Sequence, residues 1–231
     1  MIKHVKSAAS AAIVLMASST PLWAVDSVDL KVTGTIMPTA CTPTLSRNGS
    51  VDFGQIKSLS STNYTLLPEI TTAITINCDA PAKVAIKPTN GRPGTLVGTE
   101  GVTGYGETPS EIKLFGVGAF AGGLGSASEK LIGGYSMRIQ QASLLVDGAP
   151  ASIITSRDKG ATWMADSLGL MLYHSADLYT SWASVGNQLP VAFRTMSATL
   201  GVEAYVNKSS ELDMTQPINL DGLSTLEMVY L

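Results

Sequence analysis

Few side chains in this 231-residue sequence have the types and spacing that catalysis requires. His4 lies in an N-terminal segment that resembles a cleavable leader, so a nucleophile–histidine pair would have to use His174. Residues 125–128 read Gly-Ser-Ala-Ser and lack the second glycine of a nucleophile elbow. The glycine-rich residues 116–125 lack the lysine of a phosphate-binding loop and are better explained as turns. We therefore predict that the chain is not an enzyme and uses no cofactor.

The N-terminus has the layout of a secretory signal peptide. Lysines 3 and 6 precede a short apolar stretch that ends at Leu22-Trp23-Ala24, which predicts a signal peptide over residues 1–24 and a mature chain over residues 25–231. The apolar stretch is shorter than the roughly 20 residues of a spanning helix, so no membrane span is expected after cleavage. A net charge of −3 with 14% charged residues argues against nucleic acid as a partner.

The two cysteines, Cys41 and Cys78, both lie in the predicted mature chain. An even pair in an exported protein predicts one disulfide, which would stabilise the fold by roughly 4 kcal/mol in the chain-entropy model. A metal site is the weaker alternative, because two separated cysteines and one histidine do not complete a four-ligand zinc set. No metal is therefore expected.

Alternating apolar and polar residues indicate that the elements holding these side chains are strands. The pattern recurs in residues 28–36, 70–78, 84–86 and 196–206, and Asp147-Gly148 predicts a hairpin turn. Many short antiparallel strands with one disulfide predict an all-β sandwich with Greek-key connections. A barrel is the alternative. Residues from about 90 to 166 are expected to be an insertion that enlarges this single domain.

The last residues of the sequence, 223–231, also alternate, with Leu226, Met228 and Tyr230 on one face. If nothing follows this strand, its free side needs a partner, because an unpaired apolar edge promotes aggregation. Partnership is therefore expected ahead of catalysis.

Aromatic residues concentrate between residues 163 and 182: Trp163, Tyr173, Tyr179 and Trp182. Aromatic faces beside hydrogen-bonding groups suit the stacking of sugars, so these residues are candidates for a ligand surface that would bind a host glycan. The alternative is that the rings cap the sandwich.

Four motifs together resemble the N-terminal half of chaperone–usher fimbrial subunits. They are Val-Thr-Gly-Thr-Ile at residues 32–36, Ala40-Cys41, Val-Asp-Phe-Gly-Gln-Ile at residues 51–56 and Ile-Thr-Ile-Asn-Cys at residues 74–78, and Tyr230 matches the penultimate tyrosine of the family. Within this superfamily, residues 37–43 and 218–223 are most similar to secreted proteins described as β-fimbriae major subunits.

The resemblance implies an immunoglobulin-like, pilin-like sandwich that lacks one strand. A periplasmic chaperone and then the N-terminal extension of another subunit would fill the gap by strand addition, after export to the periplasm and before display in a surface fimbria. The implied strand-acceptor groove consists of Leu226, Met228, Tyr230, Val32 and Ile36. Residues 28–32 have a second interpretation, because Val28, Leu30 and Val32 would also serve as the donor strand. The alternative function is a self-complemented, soluble periplasmic sandwich that binds a small ligand or a glycan.

Overall fold

A computed structural model describes residues 28–35 and 39–231 of the chain. The chain divides into two compact units, Met1–Met37 and Pro38–Leu231. The predicted signal peptide (residues 1–24) and Ile36 lie outside the described residues.

The second unit is built almost entirely from strands, joined by loops and four short 3-10 turns. The turns are Ser46–Gly49, Leu114–Gly116, Gln141–Ser143 and Ser209–Glu211. The strands are β1 (Cys41–Leu45), β2 (Thr65–Ala82), β3 (Val84–Asn90), β4 (Thr99–Glu100), β5 (Gly106–Glu107), β6 (Gly122–Gly123), β7 (Ser126–Ala127), β8 (Lys130–Leu131), β9 (Gly133–Ile139), β10 (Leu145–Val146), β11 (Ala149–Ser156), β12 (Met164–Ala165), β13 (Tyr179–Ser184), β14 (Phe193–Val206) and β15 (Ser224–Tyr230).

Eleven strands form one antiparallel sheet whose path runs β1-β2-β14-β10-β11-β13-β3-β15, with β9 beside β14, β6 beside β9 and β12 beside β11. The sheet folds over so that its two halves share one core. Ile76 of β2 and Met196 of β14 meet Ile86 of β3, Ile153 of β11 and Trp182 of β13 in the same buried cluster. The fold is therefore all-β and sandwich-like, and the two ends of the path, β1 and β15, are its edge strands.

Several elements match the sequence-based predictions. The alternating residues 70–78, 84–86 and 196–206 lie in β2, β3 and β14. The predicted hairpin forms between β10 and β11, where Val146 pairs with Ala149 and both turn residues have positive φ, 49° at Asp147 and 80° at Gly148. The predicted disulfide joins Cys41 to Cys78, directly across the β1–β2 pair.

The predicted first strand is wrong. Residues 28–35 form no strand, and the first strand is β1, which begins at Cys41. The side chains of Val28, Leu30 and Val32 are 95%, 89% and 88% exposed. The alternation is present, but the segment pairs with no strand among the described residues, and a strand forms only with a hydrogen-bonding neighbour.

Residues 90–166, the predicted insertion, contribute both to the main sheet and to a separate small core. Five strands in this range, β6, β9, β10, β11 and β12, belong to the main sheet. The irregular residues before them form a second small core around Leu96, Leu114 and the buried ring of Tyr205. This second core lies against the face of β14 and β9 that points away from the main core, so side chains on that face, such as Tyr205, are also buried.

Candidate functional site

The strands at the two ends of the sheet path, β1 and β15, flank a gap in the sandwich. In the part of the chain that the structure describes, β1 pairs only with β2 and β15 pairs only with β3. Both strands nevertheless pack apolar side chains against the core, among them Leu45, Leu226 and Met228. An apolar row beside an unpaired strand edge is the feature that a β-strand ligand recognises.

The hydrogen bonds around β15 show which of its backbone groups face the gap. Gly91 N–H donates to the Leu223 carbonyl and Leu231 N–H donates to the Lys83 carbonyl, at 2.8 and 3.0 Å. In an antiparallel pair, hydrogen-bonded and non-hydrogen-bonded residues alternate. The backbone groups of odd-numbered residues 225–229 therefore face β3, and those of Leu226 and Met228 face outward into the gap.

The opposite wall, β1, offers fewer hydrogen bonds. Asp79 N–H donates to the Ala40 carbonyl at 3.0 Å, so the even-numbered residues of this strand face β2. By the same alternation, the backbone groups of Cys41, Pro43 and Leu45 face the gap. Proline has no N–H, and the Cys41 N–H already donates to the Tyr230 hydroxyl at 2.8 Å. A strand entering the gap would therefore pair mainly with β15.

Between these walls runs a continuous channel, which we call the open groove. Three adjoining cavities of about 400, 190 and 810 Å³ make up this groove. The first two share Leu45, Gly49, Ser224 and Leu226, and the last two share Val51, Phe53 and Leu220. The groove therefore continues past the ends of β1 and β15, between residues 51–59 and residues 214–220, which form no strand.

The structure places the predicted groove residues as follows. Leu226 and Met228 are half-buried and line the open groove. Tyr230 lies at its end, with a half-exposed ring and its hydroxyl bonded to Cys41. Val32 lies within residues 28–35, which form no strand, so its predicted position on the first strand is wrong, while its predicted position in the groove wall stays a prediction. Ile36 lies outside the described residues.

Other lining residues were missed by the sequence-based prediction. They are Leu45, Val51, Phe53, Ile218 and Leu220, all of them partly buried against the core. The two-residue spacing of Val51 with Phe53 and of Ile218 with Leu220 is the signal that would have found them. These short pairs lack the longer alternation that marks a strand.

One polar cluster lies at the floor of the middle cavity. The Ser224 hydroxyl is 2.9 Å from the Tyr105 hydroxyl and 2.6 Å from the Tyr135 hydroxyl. Burial raises the pKa of Tyr135 to about 12 and raises the pKa of Tyr105 further. The three hydroxyl groups are therefore uncharged at neutral pH and act only as hydrogen-bonding groups.

The predicted aromatic ligand surface does not form. Trp182 is fully buried and packs edge-on against Phe193, with ring centroids 5.7 Å apart. Tyr179, three residues earlier on β13, is also buried. Trp182 lies in the core that the two halves of the sheet share, and Tyr179, on the opposite face of β13, is buried as well, so neither ring is free to stack on a sugar.

Two of the predicted aromatic residues are half-buried near the surface. Trp163 donates its indole N–H to the Gly160 carbonyl at 3.0 Å. Tyr173 lies under the Arg157 guanidinium, 3.9 Å from the ring centroid, and its ring meets Phe120 edge-on at 5.1 Å.

The described residues contain no cluster of three or more histidine, cysteine, aspartate or glutamate side chains that would hold a metal ion. Within the same residues, no helix has the length and apolar character needed to cross a membrane.

Comparison with known proteins gives the following likenesses. Residues 30–136 match a family described as "Protein of unknown function (DUF1120)". Two proteins of Escherichia coli (strain K12) are similar over most of their length. "Protein GltF" is 29% identical, covering 90% of this chain and 91% of the relative. "Uncharacterized protein YhcF" is 26% identical, covering 90% and 92%. No solved structure is similar to the chain at a significant level.

Proposed function

We propose that the chain is a structural subunit, or a subunit-like protein, of a bacterial surface fimbria, assembled by strand donation. The observation that carries the proposal is the open groove, where apolar side chains of β1 and β15 lie beside two strand edges that no described residue pairs. In this proposal the chain is exported to the periplasm, a chaperone strand occupies the groove first, and another subunit replaces it.

The donor in this proposal is the segment of a second copy that contains Val28, Leu30 and Val32. Its apolar side chains alternate with Asp29 and Lys31, and all three are almost fully exposed. Burial of one such side chain contributes roughly 1.5–3 kcal/mol, so three of them supply a substantial gross stabilisation of the complex. The segment thus has the two-residue period that pairing with β15 and filling its apolar pockets require.

The charge of the donor segment supports the same assignment. Asp29, Lys31, Thr33 and Thr35 would lie on the face away from the core, where water solvates them. The partner strand β15 has a matching polar face, on which Glu227 forms an ion pair with Lys87 at 2.9 Å. The inserted strand would therefore extend both the apolar and the polar face of this half of the sandwich.

The proposal is tested with two blocked variants of the full chain. Met228→Asp places a charge in the groove, and Val32→Asp places a charge in the donor segment; an unpaired buried carboxylate is strongly unfavourable. We expect each variant alone to remain monomeric and the native chain to form ladders that resist mild denaturant. In a mixture of the two variants, the intact donor segment of the Met228→Asp chain should enter the intact groove of the Val32→Asp chain and form heterodimers.

Matched controls use the opposite face of each strand. Thr225→Asp lies on the exposed face of β15, and Thr33→Asp lies between the apolar residues of the donor. Both should assemble like the native chain. A native chain that stays monomeric with or without a chaperone strand, or blocked variants that assemble normally, would overturn the proposal.

A further inference from the structure

A cluster of three hydroxyl-bearing residues lies at the middle cavity of the open groove, whose lining side chains are otherwise mostly apolar. Ser224 and Tyr135 line the cavity, and Tyr105, which does not line it, bonds the same serine. Tyr105 is 3% exposed and Tyr135 is 6% exposed. A Cβ at Gly222 would lie 2.8 Å from the Tyr135 ring, so this glycine gives the ring its space and helps to fix its position.

The hydrogen bonds within this cluster do not use all of its donors. Three hydroxyl groups carry three protons, and the two contacts to Ser224 consume two of them. Among the described residues, none of the three hydroxyls has another partner within hydrogen-bonding distance. One donor therefore remains available, and a strand that expels water from the cavity would leave this donor unsatisfied unless it brings an acceptor or keeps a water molecule.

We propose that the Ser224–Tyr135–Tyr105 cluster is a polar subsite of the open groove that selects the donor residue placed opposite Ser224. It accepts a residue with a hydroxyl side chain, or a glycine that leaves space for a water molecule. It rejects an aliphatic side chain, which would displace the water and offer no acceptor. This inference rests on the proposed strand-accepting function.

The donor segment has one residue of the required type in its apolar row. Val28, Leu30 and Val32 are followed at the same spacing by Gly34. An antiparallel strand with Gly34 opposite Ser224 places Val32 opposite Leu226 and Leu30 opposite Met228, so that aliphatic residues meet aliphatic residues. The parallel alignment would instead place Pro38, which has no N–H, opposite Met228.

Gly34 has no local reason to be a glycine in its own unit. Its φ is not among the positive values, and a Cβ added to it would have no atom within 4 Å. A side chain is therefore compatible with the conformation and surroundings of residue 34. The polar subsite supplies a reason for the absence of an aliphatic side chain, which would displace the water in front of Ser224 and offer no acceptor.

The test uses the full chain carrying Val32→Asp, whose own donor is blocked, and a labelled synthetic peptide of residues 26–37. Three peptides are compared by fluorescence anisotropy: the native peptide, Gly34→Ser and Gly34→Val. We expect the Gly34→Ser peptide to bind at least as tightly as the native one and the Gly34→Val peptide to bind about tenfold more weakly, because it leaves a buried donor unpaired. In a receptor that also carries Ser224→Ala and Tyr135→Phe, the order of the serine and valine peptides should reverse.

The reversal distinguishes a selective subsite from a merely structural role, since general destabilisation would weaken all three peptides alike. Thr225→Ala, on the exposed face of the same strand, is the matched receptor control and should leave the order unchanged. If the native peptide does not bind, the proposed function fails. If it binds but the valine peptide binds as tightly as the serine peptide, or the receptor changes leave the order unaltered, the polar subsite alone is overturned. The comparison on the unaltered receptor decides this even if the doubly substituted receptor does not fold.

Discussion

Strands β14 and β15 have the same kind of alternating sequence and very different surroundings. On β14, the inward residues Met196, Leu200 and Val202 are 1%, 4% and 8% exposed, and the strand has hydrogen-bonded neighbours on both sides. On β15, Leu226 and Met228 are only half-buried, and the strand has one neighbour among the described residues. Alternation thus identifies the apolar face of a strand but does not show whether both of its edges are paired.

This contrast implies an uneven distribution of stability. The side chains around β14 are already removed from water and contribute fully to the folding of a single chain. Those along the open groove contribute in part, and in the proposed assembly the rest of their contribution would come from an inserted strand. The predictions below separate the two regions, in order of decreasing effect.

The largest loss of folding stability is expected in the fully buried core. Trp182→Ala removes a fully buried ring that contacts Phe193 and should lower the free energy of unfolding by about 3–5 kcal/mol. Urea unfolding checks this value. The loss should be the same with and without the peptide of residues 26–37, because Trp182 does not line the groove. A loss below about 1 kcal/mol would contradict the closed core.

Removal of the disulfide should lower stability slightly less, and it should also weaken peptide binding in the open groove. Replacing Cys41 and Cys78 by alanine is expected to cost about 2–4 kcal/mol, chiefly by freeing the unfolded chain. Because the bond fastens β1 to β2, peptide binding should weaken as well. Binding and urea unfolding of the doubly substituted chain, compared with Trp182→Ala, check this: only the disulfide variant should lose affinity beyond its loss of stability.

Substitution of a groove residue should lower stability by an amount that depends on whether the peptide is bound. Met228→Ala is expected to lower the stability of the free chain by about 1 kcal/mol, and by about 2–3 kcal/mol when the peptide is bound and the side chain is fully buried. Thermal unfolding with and without saturating peptide measures the difference. Thr225→Ala should stay within about 0.5 kcal/mol in both states. Equal losses for Met228→Ala in the two states would show that the groove is not where the peptide binds.

The smallest predicted effect concerns Tyr135, which changes the stability of the chain at alkaline pH and not at neutral pH. Burial raises the pKa of Tyr135 to about 12, above the ordinary tyrosine value of about 10. Between pH 10 and 12 the unfolded chain releases this proton while the folded chain retains it, so the free energy of unfolding should fall as pH rises. Tyr135→Phe should make this slope shallower. An unchanged slope would place the alkaline sensitivity in Tyr105 and Tyr205, whose pKa values burial also raises.

The success of the sequence-based prediction differs between the same two regions. Residues 70–78 and 196–206 are correctly predicted as strands because apolar residues alternate along both, although β14 has a register shift between Val202 and Ala204 and is buried on both faces near Tyr205. Residues 28–36 have the same pattern, and the described part is not a strand, since periodicity carries no information about the partner. The aromatic residues failed for the opposite reason. Trp182 and Tyr179 are buried in the folded sheet, and the way the sheet folds depends on long-range strand pairing that no local pattern reveals.

Amide hydrogen exchange along β15 tests the central claim most directly. In the full chain carrying Val32→Asp, the outward-facing amides of Leu226 and Met228 should exchange rapidly, while those of Thr225, Glu227 and Val229, which face β3, should be protected. Addition of the peptide of residues 26–37 should protect Leu226 and Met228 and change the other three little. Protection of Leu226 and Met228 equal to that of Glu227 in the chain alone would contradict the account, because the edge would already be paired.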